Sequence, residues 1–205
     1  MLRYEKDKNE QDILLDNNGD QIMMEWEKPL MQAHIDELKP HGDVLEIGFG
    51  MGYSATHIQT YKPKSYTIIE CDPVVIKKCK EWAKDYDNVI IIESKWQDVI
   101  ETLGTYDSIF FDPTETSNLS TAAYKIAHFN WHFIFIELCI QYLMKLGSRL
   151  SVFLPTYLNY KYKKFISDQL FISHYNKIIK VPISDQCKYK RPTEELMVPI
   201  IEKIQ

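Results

Sequence analysis

Asp112 follows the apolar run Ile109-Phe110-Phe111 and precedes Pro113. A carboxylate at such a strand end can orient a cationic or amine nucleophile and accept its proton. The competing reading is an Asp that caps the turn before the proline. A second chemical feature lies upstream in Val44-Leu45-Glu46-Ile47-Gly48-Phe49-Gly50-Met51-Gly52, where three glycines alternate after an apolar strand. Glycines let a backbone turn sharply and approach a bulky ligand. Eighteen residues after Gly52, Glu70 ends the strand Tyr66-Thr67-Ile68-Ile69-Glu70. An acid there can accept the two hydroxyls of a ribose.

These features describe a nucleoside-cofactor site. A dinucleotide fingerprint places its third glycine one step later, where this chain has Tyr53. The G-x-G-x-G spacing after Glu46 instead fits S-adenosylmethionine (AdoMet), which has no pyrophosphate to cradle. Asp72 is an N-cap and is also placed for a cofactor contact. Lys95-Trp96 follows the third strand, where an indole can pack on adenine or simply fill the core.

Elements must carry these residues to one edge. Helices are expected over about Pro29 to Leu38, Tyr53 to Tyr61, Pro73 to Lys84, Trp96 to Leu103, Ala122 to Met144 and Tyr160 to Leu170. Strands are expected at Asp43 to Ile47, Tyr66 to Glu70, Val89 to Ile92, Ser108 to Phe111 and Arg149 to Leu154, then near His174 to Val181 and Leu196 to Ile201. Their alternation predicts an α/β, Rossmann-like, mostly parallel sheet with an antiparallel C-terminal strand. Ligands then sit beyond the carboxyl ends of the strands. Residues 1–20 are charged and turn-rich and read as an N-terminal arm or lid. Residues 21–205 read as one domain.

The chain has 205 residues, 45% of them hydrophobic and 26% charged, with a net charge of −5. That balance excludes a broadly basic nucleic-acid binder. Lys161, Lys163 and Lys164 read as a solvated helix face. Cys71, Cys79, Cys139 and Cys187 lack zinc spacing and suggest no disulfide framework. The polar N-terminus is no signal peptide. The apolar stretch Phe133 to Leu146 is too short to span a bilayer. A cytoplasmic protein is expected, with neither nucleic acid nor membrane as partner and with homodimer formation left open.

One further stretch is informative by resemblance. Met23-Met24-Glu25-Trp26-Glu27-Lys28-Pro29-Leu30-Met31 resembles M-E-R-W-E-T-P-Y-M of the guanidinoacetate N-methyltransferase family. V-L-E-I-G-F-G-M-G is similar to that family's V-L-E-V-G-F-G-M-A. Ile68-Ile69-Glu70-Cys71-Asp72 resembles I-I-E-C-N, and Trp96-Gln97-Asp98-Val99 resembles W-E-D-V. Val181-Pro182, Cys187-Lys188-Tyr189 and Val198-Pro199-Ile200-Ile201 echo V-P, C-R-Y-Y and T-P-L-V in the same order. The likeness is collinear from about Ile22 to Glu202.

The resemblance implies an AdoMet-dependent N-methyltransferase of a small guanidino compound. Gly48, Phe49, Gly50, Met51, Gly52 and Tyr53 would line the cofactor's methionine. Glu70 would hold its ribose, flanked by Cys71 and Asp72. Lys95 and Trp96 would border the adenine, and Met31 would touch the cofactor. Glu27 and Asp112 would clamp the guanidinium, with Asp112 as proton acceptor. Met23, Thr156 and Tyr157 would contact substrate. Planar guanidinium donors match carboxylates bidentately. The chain departs from the family after strand four: Phe111-Asp112-Pro113-Thr114-Glu115-Thr116 stands for Y-D-T-Y-P-L. Glu115 adds a charge that would disfavour a carboxylate tail. The alternatives are an arginine N-methyltransferase acting on a protein or peptide, a small-molecule methyltransferase with a non-guanidino substrate, and a non-catalytic AdoMet-binding protein. Retention of both acids argues against the last.

Overall fold

The computed structural model describes residues 1–114, 131–189 and 193–205. The chain opens with three short antiparallel strands in one small sheet, β1 (Arg3–Lys6), β2 (Asp12–Leu15) and β3 (Gln21–Met24). Residues 1–20, expected as an arm or lid, are therefore built into regular structure. Leu2, Ile13 and Leu14 are buried, so apolar anchors hold the charged strands down.

A 3-10 turn, Glu25–Glu27, leads into α1 (Lys28–Leu38), which has Pro29 in its first turn, where a missing N–H costs nothing. There follow β4 (Asp43–Ile47), α2 (Tyr53–Thr60), β5 (Ser65–Glu70), α3 (Pro73–Ala83), β6 (Val89–Glu93), α4 (Trp96–Val99) and β7 (Tyr106–Phe111). A helix over residues 131–138 (α5) ends in a π-helical turn, Cys139–Leu143. Then come β8 (Met144–Val152), α6 (Asn159–Ser167), β9 (Ile172–Lys180) and β10 (Glu195–Lys203).

The seven-stranded sheet runs β6-β5-β4-β7-β8-β10-β9. Its first five strands are parallel and β10 is antiparallel to both neighbours. Alternation along each strand feeds two cores. In β4, Val44 packs on the side of α1, α2 and α3, while Leu45 and Ile47 face α4, α5 and α6. The strand order reverses direction between β4 and β7. That switch point opens a crevice at their carboxyl ends.

Two boundaries differ from expectation. The expected helix Ala122 to Met144 lies partly outside the described residues, and its described part is α-helical over 131–138 and π-helical to Leu143. The fifth parallel strand begins at Met144, not Arg149. Leu146-Gly147-Ser148 reads as a helix stop, yet it forms an irregularity inside the strand, with the register shifting between Tyr106 and Ser108. The Ser148 hydroxyl donates to the Tyr106 carbonyl and replaces a ladder bond there.

Candidate active site

The glycine loop lies between β4 and α2. Gly48 has φ +88°, and a Cβ there would meet the Asp112 carbonyl oxygen at 2.7 Å. Glycine is thus required for the two strand ends to meet. The Asp112 N–H in turn donates to the Ile47 carbonyl at 3.0 Å, fixing the residue where parallel pairing ends. A Cβ on Gly50 would lie 2.9 Å from the Met23 sulfur, so β3 crosses the loop directly. Tyr4 adds a strap from β1: its hydroxyl donates to the Gly50 carbonyl at 2.7 Å.

Glu70 closes the loop from the β5 side. Its Oε2 accepts from the Phe49 N–H at 2.9 Å, and its Oε1 accepts from the N–H groups of Cys71 and Asp72 at 2.7 and 2.9 Å. Three donors hold the carboxylate at the strand tip, beside exposed Cys71. Asp72 caps α3 through Val74 and Val75 and also accepts from the Leu2 N–H. Its oxygens serve the fold.

Several expected cofactor residues lie elsewhere. Met31 is wholly buried in the α1 core and offers no surface to the crevice. Glu46 is likewise fully buried beneath the loop, where Ser54 and Tyr66 donate to its two oxygens. Strand alternation turns it toward α2, so it supports the loop from below. Trp96 is built into the other core, edge-on to Phe111 and Phe135 at 5.7 and 5.2 Å. Lys95 beside it stays exposed. The Phe49 ring turns inward against Trp82 at 5.5 Å, so only its backbone serves the loop. Met51 is buried within the same core. Tyr53 begins α2 with a buried hydroxyl that has no hydrogen-bond partner among the described residues.

The expected substrate residues do converge. Glu27 is 5% exposed, unusual for an acid with no ion-pair partner among the described residues. Its Oε1 reaches back over the 3-10 turn to accept from the Met24 N–H at 2.8 Å, and accepts from the Tyr189 hydroxyl at 2.7 Å. Burial outweighs these bonds and pushes the carboxyl up to about 7. Burial also raises Asp112 well above the usual carboxylate range, and the Glu27 charge raises it further. The two acids are therefore close enough to interact, and their ionised forms repel each other. Met23 lies against the loop. Thr156 and Tyr157 begin the 3-10 turn after β8, the strand paired with β7, and Tyr157 is 57% exposed. Glu115 lies outside the described residues.

Tyr189 is a site residue that sequence reasoning did not single out. Burial first, then the Glu27 charge, raises its phenol well above the usual value. The signal was present in the Cys187-Lys188-Tyr189 block, but nothing local says which acid such a tyrosine serves.

A doubly wound sheet of this order, with a glycine loop and an acid at successive strand tips, defines a class I methyltransferase fold. Solved structures agree at the level of fold. TrmN from Thermus thermophilus superposes with a TM-score of 0.62 at 14% identity, covering 99% of this chain and 59% of that one. A precorrin-6y C5,15-methyltransferase from Geobacter metallireducens gives 0.60 at 12%, covering 98% and 94%. The O-methyltransferase TomG from Streptomyces achromogenes, solved in complex with SAM, gives 0.60 at 10%, covering 87% and 80%.

Within that class, the guanidinoacetate N-methyltransferase family model matches residues 3–180, and the chain belongs to this family. Similar curated relatives are proteins named protein arginine N-methyltransferase 2. That of Candida glabrata is 42% identical over 118 residues, 54% of this chain and 27% of that protein. That of Saccharomyces cerevisiae is 35% identical over 118 residues, 54% and 29% respectively. The matched region is thus under a third of either relative's length. Among the described residues, no helix is long and apolar enough to cross a membrane.

Proposed function

We propose that this chain transfers the methyl group of AdoMet to a guanidino nitrogen of arginine in a protein or peptide. The observation that carries this reading is the pair Glu27, buried, and Asp112, half-buried, two interacting acids with raised proton affinity and, among the described residues, no ion-pair partner. A guanidinium supplies the missing charge and donors in a plane that suits two carboxylates.

The loop fits the cofactor. Glu70 stands at the β5 tip with its carboxylate held by backbone donors, as a ribose diol requires. Gly48 and Gly50 let the Asp112 carbonyl and the Met23 sulfur lie directly against the loop. When bound, AdoMet supplies an electrophilic methyl group on a sulfonium. The chain's own residues do the rest. Glu27 and Asp112 orient the guanidinium and relieve the attacking nitrogen of its proton as the new bond forms, with Asp112 as acceptor.

The smaller reading, guanidinoacetate itself, fits less well. Relatives at 42% and 35% identity carry the arginine name, and Asp112-Pro113-Thr114 replaces the family's loop beyond the clamp. A longer, neutral or cationic tail is expected to be preferred over a carboxylate tail. The test compares guanidinoacetate, free arginine, agmatine and an arginine-containing peptide by S-adenosylhomocysteine release. The arginine peptide should lead guanidinoacetate by ~10- to 100-fold in kcat/KM, which corresponds to only ~1–3 kcal/mol of discrimination. A tenfold lead for guanidinoacetate would assign the small-molecule reaction instead.

A further inference from the structure

We infer that Tyr189 is a positioning residue of this site: its hydroxyl holds Oε1 of Glu27, so that Oε2 is the oxygen presented to the guanidinium. The inference rests on the guanidinium reading above. Both hydrogen bonds to Glu27 fall on Oε1, from the Met24 N–H and the Tyr189 hydroxyl. Among the described residues, none reaches Oε2. Two donors on one oxygen fix the carboxylate plane and leave the other oxygen free. Without the hydroxyl, the carboxylate is held at a single point and can rotate about it.

The segment carrying Tyr189 is fastened for this task. Lys188 N–H donates to the Gln21 side-chain oxygen at 2.6 Å, and the Gln21 amide donates to the Gln186 carbonyl at 2.8 Å. The tyrosine ring lies edge-on to Trp26, 6.1 Å between centroids. The connection before β10 is thus tied to β3 and the 3-10 turn, the elements that carry Met23 and Glu27. A residue 162 positions away along the chain thereby sets the aim of the clamp.

The hydroxyl also favours the ionised form of Glu27 against burial. The groups facing Glu27 are Asp112 at the end of β7, Tyr53 on α2, and Cys187 with Tyr189 on the segment before β10. Among the described residues none of these is a cation, so the Met24 N–H is the other donor that favours the charged form.

Tyr189→Phe removes one oxygen and keeps the ring against Trp26. It is expected to lower kcat about tenfold toward an arginine peptide while AdoMet affinity stays within twofold. The acid limb of kcat/KM should move up by about one pH unit, because the carboxylate loses a donor to its charged form. A merely structural role leaves that limb in place. Titration of Glu27 by carboxyl carbon-13 NMR needs no substrate. It should shift upward in the variant, and downward when 3-fluorotyrosine, a stronger donor, stands at position 189. The fluorinated protein serves if Tyr189→Phe does not fold. An unmoved Glu27 titration overturns the role of Tyr189 whatever the substrate. A moved titration with no turnover of any guanidino compound by the unaltered protein leaves Glu27 held by Tyr189 and overturns the guanidinium reading alone.

Discussion

Glu27 is placed at a cost to the fold. Its carboxyl titrates near 7 when folded and near 4.5 when unfolded. Its neutral form therefore suits the folded state. That contribution is fully present below pH ~4.5 and is lost as pH rises through ~7, on the order of 3 kcal/mol by linkage. Glu27→Gln should raise the melting temperature at pH 8, with a smaller effect at pH 5, while abolishing most turnover. An equal shift at both pH values would mean the acid is not buried as described. The same proton explains an expected rate profile. The clamp must be ionised to bind a cation, so kcat/KM for a guanidino substrate should climb with pH through about 7. A profile already flat from pH 5 would contradict it. Glu27 and Asp112 were legible as a pair only through the W-E and G-F-G-M blocks, since their separation along the chain carries no periodicity. Met31, Glu46 and Trp96 lie in the core for one reason. Motif position fixes the main chain, while the strand or helix face decides whether a side chain meets ligand or core.

At the scale of elements, the loop between β4 and α2 and the strands crossing it form one device. Gly48→Ala places a methyl group 2.7 Å from the Asp112 carbonyl, at φ +88°. The strand ends must separate, so stability should fall by ~1–3 kcal/mol, as for other strained backbone positions. Turnover should fall further than stability explains, because Asp112 moves. Normal melting and normal turnover would show that the close approach is dispensable. Tyr4→Phe is gentler: it removes the strap on the Gly50 carbonyl. AdoMet affinity should weaken by ~0.5–1.5 kcal/mol, the scale of one hydrogen bond, and calorimetry reads this directly. Unchanged affinity would make β1 a bystander. The parallel strands and their helices were readable from apolar runs and caps, with Asp43–Ile47 and the Asp72 cap matching residue for residue. The N-terminal strands were not, because their short charged sequences carry only a few apolar anchors. The start of β8 was hidden by a glycine that serves a strand irregularity, not a helix stop.

The whole molecule places its charge to suit a cation. Glu27 and Asp112 lie close enough to interact, and Glu70 stands at the tip of β5, in a chain of net charge −5. Surface attraction is screened over ~8 Å at physiological salt. KM for a cationic arginine peptide should therefore rise severalfold between low and high salt, and KM for zwitterionic guanidinoacetate should change little. The fold class followed from the alternation of elements. The substrate's size did not, because the loop after Asp112 sets it and its residues depart from the family pattern. The central claim is that Asp112 takes the proton from a clamped guanidinium. Asp112→Asn keeps the side chain's size and removes the charge and the base. With saturating AdoMet and an arginine peptide, kcat should fall at least ~100-fold, the usual scale for losing a general base, with AdoMet affinity nearly unchanged. Unaltered turnover, or an equal loss of cofactor binding and turnover, would contradict the claim and leave Asp112 as a cap on the turn before Pro113.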